Sequence, residues 1–388
     1  MAPTSVSDKV AIVGVGTTDF GAEYRLKRPD LTAYDLAAEA FCTALADSGL
    51  QRDQVDGLLC ARVPTYERLA TMIGLPHARL VNCYEGTGRM SGVILQDAVR
   101  AVATGAATTV ACLYGNNGRS AGARYGGSRN DPRCQATTAI YDEMQGMTSP
   151  GAYVATMYRR YQHLYGVPDG ALAPLAINSR LNASKNPNAV MREPITREQY
   201  MATAFIAEPL RLFDYCLVND GGVAFIVTTA ERARDLAKPP VYVSAIASGS
   251  DLSNYYTSQD FFYSTASRVA ADLYEQCGVT PRDVDCLQAY DNFTPITLFT
   301  LEGLGYCERG QAWQWIDDGK RISLDGELPL NTSGGHTSES YMQGWALHVE
   351  AVRQLRGESG DRQVPDCTIA QYACLSPITT SHVLRTNP

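Results

Sequence analysis

The stretch Asn331 to Gly344, NTSGGHTSESYMQG, brings together residue types that a proton-transfer site needs. Its run of small residues lets backbone approach backbone, and Tyr341 stands where a helical pattern, WALHVEAVRQLRG, is about to begin. N–H groups at a helix start have no intrahelical acceptor and the helix dipole favours negative charge, so such a loop can hold a reacting oxygen anion without a metal. A plain helix entry has the same pattern, so the chemistry must be judged against the rest of the chain. His336, five residues before Tyr341, either reaches the same pocket or bonds to the loop backbone. Elsewhere the reactive types are dispersed. Lys9, Lys27, Lys185, Lys238 and Lys320 all sit in polar or loop contexts, which disfavours a Schiff base, and His77, His163, His336, His348 and His382 show no ligand spacing. The 11 cysteines run singly from Cys42 to Cys374 without a C-x-x-C pair, unlike a disulfide framework or a zinc site.

A chain of 388 residues, 45% hydrophobic and 19% charged, can bury a large core in one or two domains. The net charge of -8 argues against nucleic acid or an anionic membrane surface as the main partner. No run is apolar and long enough to span a bilayer, and the opening MAPTSVSDK lacks a signal-peptide core, so a cytoplasmic location is expected.

The elements that must position the loop follow a layered α/β pattern. Val10 to Gly16, VAIVGVG, reads as a buried strand, and TAYDLAAEAFCTALADSG as a helix stopped by Gly49. The unit GLQRDQVDGL at Gly49 to Leu58 recurs as GVTPRDVDCL at Gly278 to Leu287, each after an amphipathic helix and before a strand. Val10-Ala11-Ile12-Val13 has a counterpart in Val241-Tyr242-Val243-Ser244, and DAVR at Asp97 to Arg100 has one in EAVR at Glu350 to Arg353. This last register sets Gly88 opposite Tyr341. Echoes in the same order indicate two similar halves, residues 1–240 and 241–388. The first half carries an extra segment, about 119–230, that opens with GRSAGARYGGSRNDPR and continues with helical patterns at Tyr153 to Tyr165 and Asp169 to Ala183. An insertion of this kind usually covers an active site or builds an interface.

With these motifs the chain resembles the thiolase superfamily, and within it the sterol-carrier-protein-x type. The most specific part is the middle, INSRLNASKNPNAVMREPIT and then EPLRLFDYCLVNDGGVAFIV, with Asn178, Asn182, Asn186, Pro187, Asn188, Asp220 and Gly221. The resemblance implies a duplicated, five-layered α-β-α-β-α thiolase fold, normally dimeric. It also implies three catalytic motifs, and each differs here. The nucleophilic cysteine position, seventeen residues before the helix-closing Gly105, is Gly88 in YEGTGRMSGVIL. His-Asp-x-Phe appears as Tyr290-Asp291-Asn292-Phe293, and the family's N-x-S-G-G-x-x-S-x-G-H-P-x-G reads Asn331 to Gly344, with Tyr341 in place of the histidine. Without the thiol no acyl-enzyme forms there by the usual route.

Two tyrosines for two histidines and a lost cysteine are similar to the lipid-transfer-protein-like aldolases that shorten steroid side chains. That branch implies retro-aldol cleavage of a bulky, steroid-type β-hydroxyacyl-CoA into a ketone and a shorter acyl-CoA such as propionyl-CoA, which is carbon–carbon lyase chemistry. It implies Tyr341 as base and Tyr290 as acid, or the two exchanged. Asp291, Asn292, Gly335 and His336 would support them, and Gly88 would open volume beside Tyr341 and leave its N–H facing a thioester oxygen. The implied partners are the acyl-CoA substrate, a second copy in a homodimer, and a DUF35-type protein of zinc-ribbon and OB-fold elements in a heterotetramer. This chain would hold no cofactor or metal, any zinc residing in the partner. Two other readings stay open: a thiolase or acyltransferase using Cys83 or Cys374, and a non-catalytic thiolase-like subunit that binds acyl-CoA. Arg119, Arg124 and Arg129 are candidates for the CoA phosphates, or belong to a solvated loop.

Overall fold

The computed structural model describes residues 6–122, 144–147, 149–252 and 258–388. Its strands are β1 (Val10–Thr17), β2 (Gly57–Ala61), β3 (Leu80–Tyr84), β4 (Thr109–Asn116), β5 (Phe205–Ala207), β6 (Leu210–Arg211), β7 (Gly221–Thr229), β8 (Val241–Ser250), β9 (Cys286–Ala289), β10 (Ile369–Cys374) and β11 (Ile378–Arg385). All but the β5–β6 hairpin join one sheet in the order β3-β2-β4-β7-β1-β8-β11-β10-β9. Apart from the extra edge strand β3, the order is symmetric about β1 and β8. The outer pairs β2/β4 and β9/β10 are parallel, and every pair between them is antiparallel on both sides. The two halves are joined by the pairings Ala11↔Tyr242 and Ile12↔Val241.

Helices cover and divide this sheet. Helix α1 (Ala33–Ser48) starts at a capping box in which Thr32 and Asp35 satisfy each other's N–H groups, and stops at Gly49 with φ of 71°. It lies directly on β1 and β7, because a Cβ at Gly16 would meet Ala40 O at 2.3 Å and one at Gly222 would meet Leu36 O at 1.9 Å. Helix α2 (Met90–Ala103) precedes β4, and its equivalent, Trp345–Leu355, precedes β10. Both touch strands of the two half-sheets, so they form a middle layer whose core includes Ile12, Ile94, Val99, Val349 and Leu384. With α1 on one outer face and the helix Tyr263–Cys277 against β8 and β11, the layers run helix, strand, helix, strand, helix. No helix of the described residues is long and apolar enough to cross a membrane.

The extra segment of the first half supplies α3 (Pro150–Tyr165) and α4 (Ala173–Ser184). Its helices start away from the expected Tyr153 and Asp169: Pro150 is pre-set for a first turn, and the α4 turn begins only beyond Gly170, whose φ is 79°. The expected span of about 119–230 is too long. Residues 221–229 form β7, a fully integrated strand between β4 and β1. Tyr158 and Tyr161 of α3 join Phe261, Phe262 and Phe299 in a second core, which fixes the insertion on the C-terminal half beside the end of β9. Arg124 and Arg129 lie outside the described residues.

Candidate active site

Three chain segments converge where β9 ends. Tyr290 follows the strand, with its N–H bonded to Ala373 O of β10 at 2.8 Å. Asn331, at a φ of 47°, ties the glycine loop to the same strand end: Oδ1 accepts from Ala289 N at 2.7 Å, and Nδ2 donates to Ala289 O at 2.9 Å. The third segment comes from the insertion and runs into β7. Within it Cys216 N donates to Asn292 O at 3.0 Å, Leu217 N to His336 O at 2.9 Å, and Asn219 Oδ1 accepts from Tyr341 N at 2.7 Å. The Asn-rich helix clamps the loop from outside. Asn182 Nδ2 donates to Leu330 O at 3.0 Å, and Asn186 Nδ2 donates to Ser333 O and to Glu339 Oε1, both at 3.0 Å. Asn178 and Asn182, four residues apart, share the helix face that meets the loop, and Asn186 reaches it from just beyond the helix end at Ser184.

This scaffold brings the two phenols together, Tyr290 Oη and Tyr341 Oη lying 2.9 Å apart. Tyr290 is buried and Tyr341 half-buried. Burial, then the adjacent Tyr341, pushes the Tyr290 phenol well above its ordinary value, so it stays protonated at neutral pH. Behind the pair stands His336, fully buried, with ring centroids 4.6 Å from Tyr290 and 5.3 Å from Tyr341. Its Nε2 accepts from Gly344 N at 2.9 Å, and its Nδ1 lies 2.9 Å from Asp291 Oδ1 and 3.3 Å from Asp291 N. The same Asp291 oxygen accepts from His336 N at 2.8 Å. His336 therefore braces one tyrosine-bearing loop against the other, and does not line the cleft. Gly335 is required beside it: φ is 59°, and a Cβ would meet Asp291 Oδ2 at 2.3 Å.

Three expectations change. Gly88 does not leave open volume beside Tyr341, because a Cβ at Gly88 would lie 1.7 Å from Tyr290 Oη: the tyrosine hydroxyl fills the place that a side chain there would take. Tyr341 is not at a helix N-terminus, since α5 (Trp345–Leu355) begins four residues later behind Gly344, whose φ of 89° turns the chain. The loop N–H groups of Tyr341 and Gly344 are not open for an anion either, being bonded to Asn219 and His336. Asn292 does line the cleft, whereas Arg119 does not, its guanidinium stacking on the Tyr24 ring at 3.6 Å.

The tyrosine pair opens into a cavity of about 80 Å³ lined by Thr87, Gly88, Arg89, Asn292 and Gln343 on the polar side and by Val154, Phe262, Ile296 and Leu375 on the apolar side. Among the described residues no lysine or cysteine lines it. Cys374 packs against Tyr290 with its thiol pushed up to about 12 by burial, which leaves no thiolate at neutral pH. The Cys83 thiol is lowered by a hydrogen bond from Cys60, but Cys83 sits on the edge strand β3, outside the cleft. Among the described residues no group of three or more His, Cys, Asp or Glu side chains is placed to hold a metal ion. Sequence reasoning passed over Asn219, Arg89 and Gln343. Asn219 carried one signal, its place in the Asn-Asp-Gly that opens β7.

Residues 247–384 match the family model described as thiolase C-terminal domain-like. The chain is 38% identical over 366 residues to 17-hydroxy-3-oxo-4-pregnene-20-carboxyl-CoA lyase of Mycobacterium tuberculosis, covering 91% of this chain and 93% of that protein. It is 36% identical over 361 residues to the steroid side-chain-cleaving aldolase of Thermomonospora curvata, covering 90% of each. The solved structure of an Ltp2-ChsH2(DUF35) aldolase superposes with a TM-score of 0.88 at 34% identity, covering 98% of this chain and 99% of that one.

Proposed function

The chain belongs to the thiolase superfamily, in the branch of the steroid side-chain-cleaving aldolases, and from that membership we propose that it cleaves a steroid-type β-hydroxyacyl-CoA into a ketone and a shorter acyl-CoA such as propionyl-CoA. The observation that carries the mechanism is the 2.9 Å contact of Tyr290 and Tyr341, with the Tyr290 hydroxyl standing where a side chain at Gly88 would be. Tyr341, the more exposed of the pair, acts as base in its phenolate form and takes the proton of the β-hydroxyl, becoming the neutral phenol. As the bond between the α and β carbons breaks, the hydroxyl carbon becomes the ketone and the electron pair moves into the thioester enolate. Tyr290, held neutral by burial, protonates the α carbon. Proton transfer across the phenol pair then returns both residues to their starting state, so the cycle consumes nothing but substrate.

The CoA thioester is the substrate of this scheme, and every proton moves through this chain's own side chains. A cavity of about 80 Å³ takes the reacting atoms and leaves a fused-ring system projecting outward. That projection supports a covering partner of DUF35 type, which would hold any zinc, in a heterotetramer built on a homodimer. Among the described strands β3 has no outer neighbour, and its edge, with half-exposed Val81 on it, is suited to pairing with a second copy. We place the protein in the cytoplasm. The test is mass spectrometry of cleavage with a steroid β-hydroxyacyl-CoA bearing a tertiary alcohol, on wild type, Tyr290→Phe and Tyr341→Phe, each co-expressed with a DUF35-type protein. Ketone and acyl-CoA from wild type alone, with both variants folded, support the reading. Turnover that persists in both variants overturns it.

A further inference from the structure

The phenol pair accounts for the two proton transfers and leaves one demand unmet. When the carbon–carbon bond breaks, negative charge gathers on the thioester oxygen, and a site that lowers this barrier must present donors there. Three buried polar atoms on the wall of the same cleft have no protein partner: Thr87 Oγ1, Arg89 Nε and Gln343 Oε1. Buried polar groups are rarely left unpaired unless something else binds them.

Arg89 and Gln343 carry further marks of a binding role. Among the described residues Arg89 is the only cationic side chain lining the cleft. Its charge is little neutralised, since its nearest carboxylate, Glu85, is 3.8 Å away and largely exposed. Gln343 is 8% exposed and holds a φ of 50°, a left-handed conformation that a side chain other than glycine adopts at a cost. The strained position keeps its carboxamide in the cleft two residues beyond Tyr341. The two residues also stand at the starts of the two middle-layer helices, Arg89 as the cap of α2 and Gln343 just before the cap of α5, so both helix dipoles favour an anion between them.

Resting on the aldolase reading, we propose that Arg89 and Gln343 are the oxyanion contacts of the reaction, holding the thioester oxygen as it becomes an enolate. Arg89 Nε donates to that oxygen, and the Gln343 carboxamide, turned so that Nε2 takes the place of the unpartnered acceptor Oε1, donates beside it. Because the charge grows only in the transition state, the contacts should act on kcat more than on KM.

The test uses the full chain co-purified with its DUF35-type partner. Isothermal titration compares two probes: a coenzyme A thioether ending in a nitroalkane, which ionises to a nitronate with the charge and shape of an enolate, and the same thioether without the nitro group. The expected result is that Arg89→Gln weakens nitronate binding about 100-fold and Gln343→Leu about tenfold, while the neutral thioether binds all three proteins equally. Equal nitronate affinity in wild type and both variants overturns the proposal, as does equal loss of both probes or a wild type with no preference for the nitronate. Cleavage by wild type is measured alongside: its absence would refute the aldolase reading itself, separately from the assignment of these two residues.

Discussion

Gly88→Ala tests the heart of the site with one methyl group. The added Cβ would stand 1.7 Å from Tyr290 Oη and 2.3 Å from Cζ, where ordinary contact begins at 3.4 Å, so the hydroxyl must withdraw by about 1.7 Å. Tyr290 cannot do this freely, because its ring is buried against His336, Leu347, Tyr372 and Cys374. A shift of that size breaks the 2.9 Å bond to Tyr341, and misplacement of a reacting group by about 1 Å costs on the order of 100-fold in rate. Overpacking of a tight site costs about 1–3 kcal/mol of stability, so the variant should fold with a lowered Tm while kcat falls at least 100-fold. The decisive assay is a double-mutant cycle of cleavage rates with Tyr290→Phe. If the methyl acts by displacing the Tyr290 hydroxyl, adding Gly88→Ala to Tyr290→Phe costs far less than adding it to wild type. Additive losses, or a Gly88→Ala enzyme with wild-type kcat, would refute the assignment of Gly88 as the space for that hydroxyl.

Three further outcomes follow from the same geometry. His336→Ala strands Gly344 N–H in the core and takes the imidazole away from the Asp291 carboxylate, which keeps only its bond from the backbone N of residue 336, so Tm should fall by the equivalent of about 2–4 kcal/mol and kcat with it; thermal melts that match wild type would show that His336 is not a brace. Glu339, buried beside Tyr341, has its carboxyl held up to about 7 by burial and the nearby Glu350, against an ordinary 4.5. The stabilisation from this raised group is complete below about pH 4.5 and is lost as pH rises through about 7, at most on the order of 3 kcal/mol. Melting should thus be higher at pH 6 than at pH 8, and Glu339→Gln should flatten that slope, its amide still meeting Ser333 and Asn186; an unchanged slope would assign the effect elsewhere. Iodoacetamide should leave cleavage intact, since the Cys374 thiol is buried and pushed up to about 12 and Cys83 lies outside the cleft, whereas loss of activity in step with alkylation of either thiol would favour acyl-enzyme chemistry.

The sequence by itself determined the layers and the chemistry on offer. Repeated units such as GLQRDQVDGL and GVTPRDVDCL are local, and a turn, a capping pair and a buried apolar run suffice to fix the short helix and strand that each became. The aldolase branch was also legible, because what distinguishes it is residue identity: Gly88, Tyr290 and Tyr341 at motif positions. What each residue does to its neighbour was not. Gly88 and Tyr290 are 202 positions apart, and only the assembled fold, which brings the turn before α2 to the residue after β9, puts the hydroxyl into the space left by the missing side chain. The same holds for β7, which read as part of an insertion because its place between β4 and β1 comes from pairing with strands more than a hundred residues away. Loop N–H groups that local rules leave open for an anion were claimed by Asn219 and His336 from other segments. The polar atoms that remain unclaimed, Arg89 Nε and Gln343 Oε1, belong to residues inside the motif stretches, yet nothing local marks them as unpaired. Burial and partnership are properties of the assembled fold, and those properties decide which polar atoms are left for a substrate.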